Sequence, residues 1–314
     1  MSLHRLLGFR AAVADPAALD AYYAELGLTG DATSGYTGSD GGAAVTIDEA
    51  PFRRLIAIDI GCHDDRDLDA VQQRLEARGA CPMRESESVS VLDSASRVQI
   101  TVRVAEPEPE PATPPVALVT PNVPGAVVRI NERSPAVFGA PRPPRRLGHL
   151  VIGTPDLRAT RDLLVDGIGC KVSDEFDGVI HFLRCSTEHH NIGLVHSPVP
   201  ILQHYSWECD DLDHVGYTAT ALYRRDPSRD AWGLGRHFAG SNFYWYLRDP
   251  AGSFLELYSD LDRITDDTEW EHRGRTPMSL EHSVNTWGPN LPTEFVEPHD
   301  LAELEAGWAT LTFD

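Results

Sequence analysis

His149, His204 and Glu256 each lie in a short stretch that alternates like a β-strand: RRLGHLVIG, LQHYSWE and DPAGSFLELYSD. They stand 55 and 52 residues apart along the chain. Two imidazoles and one carboxylate on rigid strands make up the facial donor set of a non-haem Fe(II) oxygenase, with positions left open for substrate and O2. If the three converge they are metal ligands. If they do not, they are two core histidines and a surface glutamate.

Convergence needs a scaffold that folds distant strands together, and the chain carries one twice. Leu7-Gly8-Phe9 opens a strand-like run, and Asp15-Pro16 then starts a helical stretch through Tyr22, Tyr23 and Leu26 to Gly27. Leu147-Gly148-His149 opens a second such run, and Thr154-Pro155-Asp156-Leu157 starts a helix that reaches Ile168-Gly169. Asp or Thr can cap the free N–H groups, Pro fits the first turn, and Gly suits a left-handed C-terminal cap. A second kind of unit is also duplicated. Arg54–Ile60 leads into a helix from Asp67 to Arg78, and His204–Cys209 into one from about Asp211 to Arg225. Short strands follow each: Val89–Leu92 and Arg97–Val104 in one half, Phe243–Leu247 and Ser253–Tyr258 in the other. Between halves, Phe9 takes the place of His149, a position near Ala57 that of His204, and Thr101 roughly that of Glu256. The metal site is therefore expected in the second half alone.

Between the halves, AEPEPEPATPP (Ala105–Pro115) favours extended polyproline II. Gly125–Ile130 reads as a strand, and Pro141–Pro144 leads into the second half. Beyond about Asp262 a polar tail follows, expected to pack on the C-terminal half through Trp270, Trp287, Phe295 and Trp308. The domains read as 1–135 without ligands, 136–265 catalytic, and 266–314 as the tail.

Net charge is −21, from 27 basic and 48 acidic residues. That argues against nucleic-acid and anionic-membrane partners, both of which need a basic face. No run of eighteen apolar residues occurs, and MSLHRLLGFRAAVADP lacks the apolar core of a signal peptide. Cys62, Cys81, Cys170, Cys185 and Cys209 are odd in number and form no CxxC pair, so free thiols in a reducing cytoplasm are expected.

LGHLVI, HHNIGL, HYSW and GRHFAGSNFYWYLRDPAGSFLELYSD, read together with the duplicated units, resemble the vicinal oxygen chelate superfamily. Within it, the second half is similar to the type I extradiol ring dioxygenases. The resemblance implies an α+β fold of four βαβββ units paired into two domains, with the metal in the C-terminal one. It implies His149, His204 and Glu256 as ligands of Fe(II), with Mn(II) as the other metal the family uses. His190 matches the family's active-site base, which takes a hydroxyl proton as a catechol binds. His237 and Tyr246 match groups that hydrogen-bond to the bound catecholate. His189 is expected to face solvent from a loop. The partners implied are a catechol and O2, and the assembly a homo-oligomer. A bulky catechol such as 2,3-dihydroxybiphenyl and a carboxylated one such as 2,3-dihydroxy-p-cumate both fit the resemblance. Pocket shape is expected to depend on the stretch from Val172 to Leu183, the loop from His196 to Gln203 and the tail from Thr276.

One departure stands out. Many family members carry an acidic residue three places after the histidine matching His237, and here that place is Gly240. Asn242 or ordered water is the candidate substitute. The rival readings are a glyoxalase-like lyase or epimerase of the same superfamily, and a metal-free small-molecule-binding protein.

Overall fold

The computed structural model describes residues 2–107, 120–276 and 285–312, so most of the Glu-Pro stretch lies outside the described residues. One sheet forms in each half. The first contains β1 (Leu3–Val13), β2 (Ala44–Glu49), β3 (Arg54–Cys62), β4 (Met83–Arg84), β5 (Ser88–Leu92) and β6 (Gln99–Val104). Their order across the sheet is β2-β1-β3-β6-β5-β4, with α1 (Pro16–Leu26) and α2 (Asp65–Ala77) as the connecting helices. The second contains β7 (Arg146–Thr154), β8 (Lys171–Phe176), β9 (Ile180–Arg184), β10 (Ile192–His196), β11 (Ile201–Glu208), β12 (Asp230–His237), β13 (Phe243–Arg248), β14 (Phe254–Ser259) and β15 (Asn285–Trp287). Its order is β15-β12-β13-β14-β11-β7-β10-β9-β8, with α3 (Leu157–Asp162) and α4 (Leu212–Arg225).

Helix boundaries follow from capping. The Asp15 carboxylate accepts from the Ala18 N–H at 3.0 Å, Pro16 occupies the first turn, and Gly27 closes α1 at φ 86°. Leu19, Tyr22, Tyr23 and Leu26 then form one buried stripe. In the second half Asp156, not Thr154, caps α3, accepting from the Ala159 N–H at 2.9 Å. The stretch up to Gly169 is not one α-helix: α3 passes at Leu163 into a π-helical turn that ends at Ile168.

The second sheet consists of two units joined back to back. β7 pairs antiparallel with β11, while β10 runs parallel beside β7 and β14 parallel beside β11. The first unit of the N-terminal half is abbreviated: apart from β2, its returning strands are reduced to the bridges Thr29–Thr37 and Tyr36–Val45. Gly125–Ile130 is not a strand. It forms a turn with a single bridge, Val123–Ala126, and leaves Val127, Val128 and Ile130 exposed.

Strand register corrects one correspondence between the halves. Arg10 pairs with Ala57, and across the bulge Ala11 pairs with Leu55; Val151 pairs with His204, and across its bulge Ile152 pairs with Leu202. Ala57 therefore matches His204, and through Asp59–Thr101 and Ser206–Glu256 the match of Thr101 with Glu256 holds too. Counting the same way, Gly8 and not Phe9 stands where His149 does. Phe9 matches Leu150 and points the other way, into the shared core, where its ring lies 5.5 Å from Tyr205. A one-residue slip changes the face of a strand residue, and the Leu-Gly-x similarity cannot reveal it.

The tail touches both halves rather than the C-terminal half alone. The Trp308 indole N–H donates to the Pro200 carbonyl at 2.9 Å, and its ring packs edge-on against Phe52. Arg53 donates to both carboxylate oxygens of Asp300, at 2.7 and 2.8 Å, and to the Leu202 carbonyl. The side chains of this pair are 6% and 14% exposed. Removing one partner of a buried pair leaves the other charge unanswered. We therefore expect Arg53→Met to lower unfolding stability by about 3 kcal/mol. The midpoint of a urea melt reads this, and Arg53→Met/Asp300→Leu should recover most of the loss.

Candidate metal centre

A single rung crosses four strands of the second sheet: Tyr246 on β13 faces Glu256 on β14, Glu256 faces Ser206 on β11, and Ser206 faces His149 on β7. Residues in register project on the same face, and so do residues two apart on one strand. His204, two residues before Ser206, is thus placed beside Glu256 and His149. Three segments distant in sequence meet because three neighbouring strands share this register.

The ligand atoms of His149, His204 and Glu256 all lie within 4.8 Å of one another, and among the described residues they are the one group so arranged. His149 Nε2 lies 2.8 Å and His204 Nε2 3.7 Å from Glu256 Oε2. Ligands at about 2.1 Å in adjacent positions on a metal stand roughly 3 Å apart, so this set fits a small divalent ion with modest adjustment. The chemistry of the donors agrees, with two nitrogens and one carboxylate oxygen as in the facial triad.

Supporting contacts orient two of the three side chains, His204 and Glu256. His204 Nδ1 bonds to the Gln203 amide oxygen, which leaves Nε2 for the metal, and the Gln203 N–H donates to the Phe295 carbonyl at 3.1 Å. The bulge between Leu202 and His204 is what puts Gln203 there. Ser206 Oγ donates to Glu256 Oε2 at 2.6 Å, and the Asn242 amide donates to Oε1 at 3.1 Å. Asn242 thus does hold a carboxylate, but that of Glu256. Gly240 itself has φ 81° and a neighbour, Leu261, that a Cβ would meet at 2.7 Å. Ser206 belongs to no recognisable motif, although its spacing from His204 places both on one face.

His190 and His237 flank the triad. The His190 ring lies 4.2 Å from that of His149, and its own environment is buried. His237 Nε2 is 2.9 Å from the Tyr246 hydroxyl and 3.6 Å from Glu256 Oε1, and its ring stacks on Tyr244 at 4.0 Å. Tyr244 and Tyr246 share the inner face, as alternation requires, while Trp245 stacks against Tyr223 of α4 on the other side.

His189 contradicts its expected position. It is fully buried, not solvent-facing, with Nε2 3.0 Å from Asp174 Oδ2 and Nδ1 3.0 Å from His190 Nδ1. The backbone N–H of His189 donates to the Asp262 carbonyl, which pulls the segment inward. Nothing in the local pattern announces this, since the partner, Asp174, lies fifteen residues away on β8.

The site opens onto a cavity of about 310 Å³. Apolar walls come from Val179, Ile180 and Phe182 of the β8–β9 hairpin, from Val195 and Ile201 around the next loop, and from Leu291, Phe295 and Val296 of the tail. These are the three stretches expected to shape it. Of the described residues that line it, none is Lys or Arg.

Burial drives the electrostatics. Desolvation lowers His190 well below the ordinary histidine value, with the neighbouring His149 and His189 adding to the effect. His204 is pushed down to about 3, chiefly by burial and against the pull of Glu256. Burial would raise Glu256, yet His149 and the hydrogen bonds from His149 and His237 hold it well below the usual carboxylate range. Tyr246 is raised well above 10 by burial and by Glu256.

Paired strand–helix–strand units, with a His/His/Glu set on the inner face of the second sheet, make a fold of the vicinal oxygen chelate type. Residues 146–257 match the Glyoxalase/Bleomycin resistance protein/Dioxygenase superfamily. Metapyrocatechase 2 of Cupriavidus necator is 35% identical over 155 residues, covering 49% of this chain and 47% of that one. The chain spans about half the length of the curated relatives it matches. Similarity of fold extends further. The Mn(II)-bound glyoxalase of Novosphingobium aromaticivorans superposes with a TM-score of 0.73 at 22% identity, covering 95% of each chain. Homoprotocatechuate 2,3-dioxygenase of Arthrobacter globiformis gives 0.71 at 18% identity, covering 95% of this chain and 92% of that one.

A pH dependence of stability follows for the metal-free protein. A histidine whose folded pKa is depressed contributes stability above about 6.5 that is lost as pH falls toward its folded value, at about 1.4 kcal/mol per pH unit. His204 and His190 act in this sense. Asp249, raised by burial to about 6 and partly held down by Tyr205, acts oppositely and gains stability as pH falls below 6. Between pH 7 and pH 5 the net expectation is a loss of about 2 kcal/mol. Urea melts at the two values check it; equal midpoints would contradict the burial of neutral rings.

Proposed function

We propose that this chain is an extradiol dioxygenase, holding Fe(II) or Mn(II) on His149, His204 and Glu256 and cleaving a catechol with an apolar substituent. The observation that carries the reading is the triad opening onto an apolar cavity with His190 on one side and the His237–Tyr246 pair on the other. The relatives named above support the reaction class. In this reading 1–135 is a domain without ligands, 136–265 the catalytic domain and 266–314 the tail that closes over it. Localisation to a reducing cytoplasm and a homo-oligomeric assembly belong to the same proposal. Among the described residues no helix is long and apolar enough to cross a membrane.

A bound metal would supply a template on which catecholate and O2 meet and through which charge passes between them. The remaining work falls to the chain. Desolvation keeps His190 neutral, so its ring can accept a catechol hydroxyl proton and later return it. Tyr246, kept protonated, and His237 can donate to the substrate oxygens and hold the ring in one orientation. Phe182, Trp232 and Phe295 line the cavity, enclose an aromatic substrate and exclude water.

An apolar substituent is preferred to a carboxylate because none of the described residues lining the cavity is Lys or Arg. Burying an unpaired carboxylate costs several kcal/mol, and about 1.4 kcal/mol is a factor of ten. Alkyl- or phenyl-substituted catechols should therefore outpace carboxylated ones in kcat/KM by roughly 100-fold or more. Oxygen uptake by the anaerobically Fe(II)-loaded protein across such a panel measures this, and a carboxylated catechol as the best substrate would reverse the assignment. A glyoxalase-like lyase, an epimerase or a metal-free binding protein would consume no O2 and form no yellow product. Glu256→Ala should lose iron retention and activity together; a variant that kept both would remove Glu256 from the ligand set.

A further inference from the structure

We propose that Asp174 and His189 are positioning residues that fix the tautomer of His190, so that its Nε2 presents a lone pair to the cavity. The inference rests on the reading of His190 as the proton-accepting group of the site.

Three side chains stand in a line. Asp174 Oδ2 lies 3.0 Å from His189 Nε2, and His189 Nδ1 lies 3.0 Å from His190 Nδ1. His189 is wholly buried, and Asp174 and His190 are only 5% and 4% exposed. A carboxylate accepts hydrogen bonds and does not donate, so the proton between Asp174 and His189 belongs on His189 Nε2. A neutral imidazole has one N–H, and His189 Nδ1 is then an acceptor. Two ring nitrogens 3.0 Å apart need one proton between them, and with His189 neutral it comes from His190 Nδ1. His190 consequently carries its hydrogen on Nδ1 and leaves Nε2 bare. The opposite neutral tautomer would set a lone pair of His189 against the carboxylate, a repulsive contact between two buried groups.

The surroundings hold this line in place. Trp270 meets the His189 ring edge-on at 5.4 Å, and Phe182 packs against both rings. The two rings are mutually perpendicular, 5.2 Å apart. Gly240 leaves the approach open, since a Cβ there would come within 3.3 Å of His189 Nδ1. The position where the family often carries an acidic group is therefore the one that must stay small for this contact to form. Asp174 provides a carboxylate from the other side.

The tautomer can be read directly from 15N-labelled imidazole by long-range N–H NMR correlations on the metal-free protein at pH 7.5. This readout needs neither metal nor turnover. The wild type should show His190 protonated at Nδ1. In His189→Phe, which keeps a ring but removes the acceptor, the proton should move to Nε2 in most molecules. Asp174→Leu, close in shape and lacking the acceptor, should give a mixture, and it guards against a folding defect in the first variant. In the iron-loaded enzyme both variants should lose roughly 10- to 100-fold in kcat with KM for the catechol within about two-fold, the scale seen when a group orienting an active-site histidine is removed. Nε2 protonation in the wild type, or an unchanged tautomer in His189→Phe, overturns the proposal. A wild type with the Nδ1 tautomer but no O2 uptake on any catechol overturns the dioxygenase reading instead.

Discussion

A fully buried carboxylate governs this molecule. Glu256 has no exposure to water, and an ionised group in that position must be answered by donors or a metal. His149, Ser206, Asn242 and His237 surround its two oxygens. None of these could reach it without the register of β7, β11, β12, β13 and β14. The rung Tyr246–Glu256–Ser206–His149 is thus at once the hydrogen-bonded framework of the sheet and the floor of the site. A slip of one residue in any of the four strands would send one of these groups to the helix-covered face.

The N-terminal half shows the same scaffold without that demand. Gly8, Ala57 and Thr101 stand at the three ligand positions, and Phe9 turns its ring into the core shared with Tyr205 and Tyr23. What the half contributes is packing. Its sheet and the second sheet bury one continuous cluster of apolar residues, and Arg53 reaches from its surface to the tail and to β11. The tail in turn places Phe295 against Tyr246 and Phe254 and bonds to Gln203, the residue that orients His204. Cavity wall, ligand orientation and the contact between halves are coupled through one short segment.

Two histidines adjacent in sequence have opposite tasks. His190 lines the cavity, whereas His189 lies behind it, clamped by Asp174, Trp270 and Phe182. Such an arrangement orients the inner ring by a chain of hydrogen bonds that starts at a carboxylate remote from the His/His/Glu set. Burial lowers the basicity of His190, and the chain instead determines which nitrogen is free.

The sequence by itself determined the duplicated units, the helix starts near Asp15 and Asp156, the confinement of the His/His/Glu set to the second half, and the segments that wall the cavity. These follow from local chemistry and from patterns of period two, which a strand or a cap displays over a few residues. The His/His/Glu set was legible for the same reason, because each member sits in a recognisable strand. Only tertiary structure decided what depends on pairing between strands. Strand pairing made Gly8, not Phe9, the counterpart of His149. Gly125–Ile130 found no neighbouring strand and remained a turn. His189 was drawn inward by Asp262 and Asp174, partners far away in sequence. Hydrogen-bond partners and register are properties of two segments at once, and no single stretch of chain contains them.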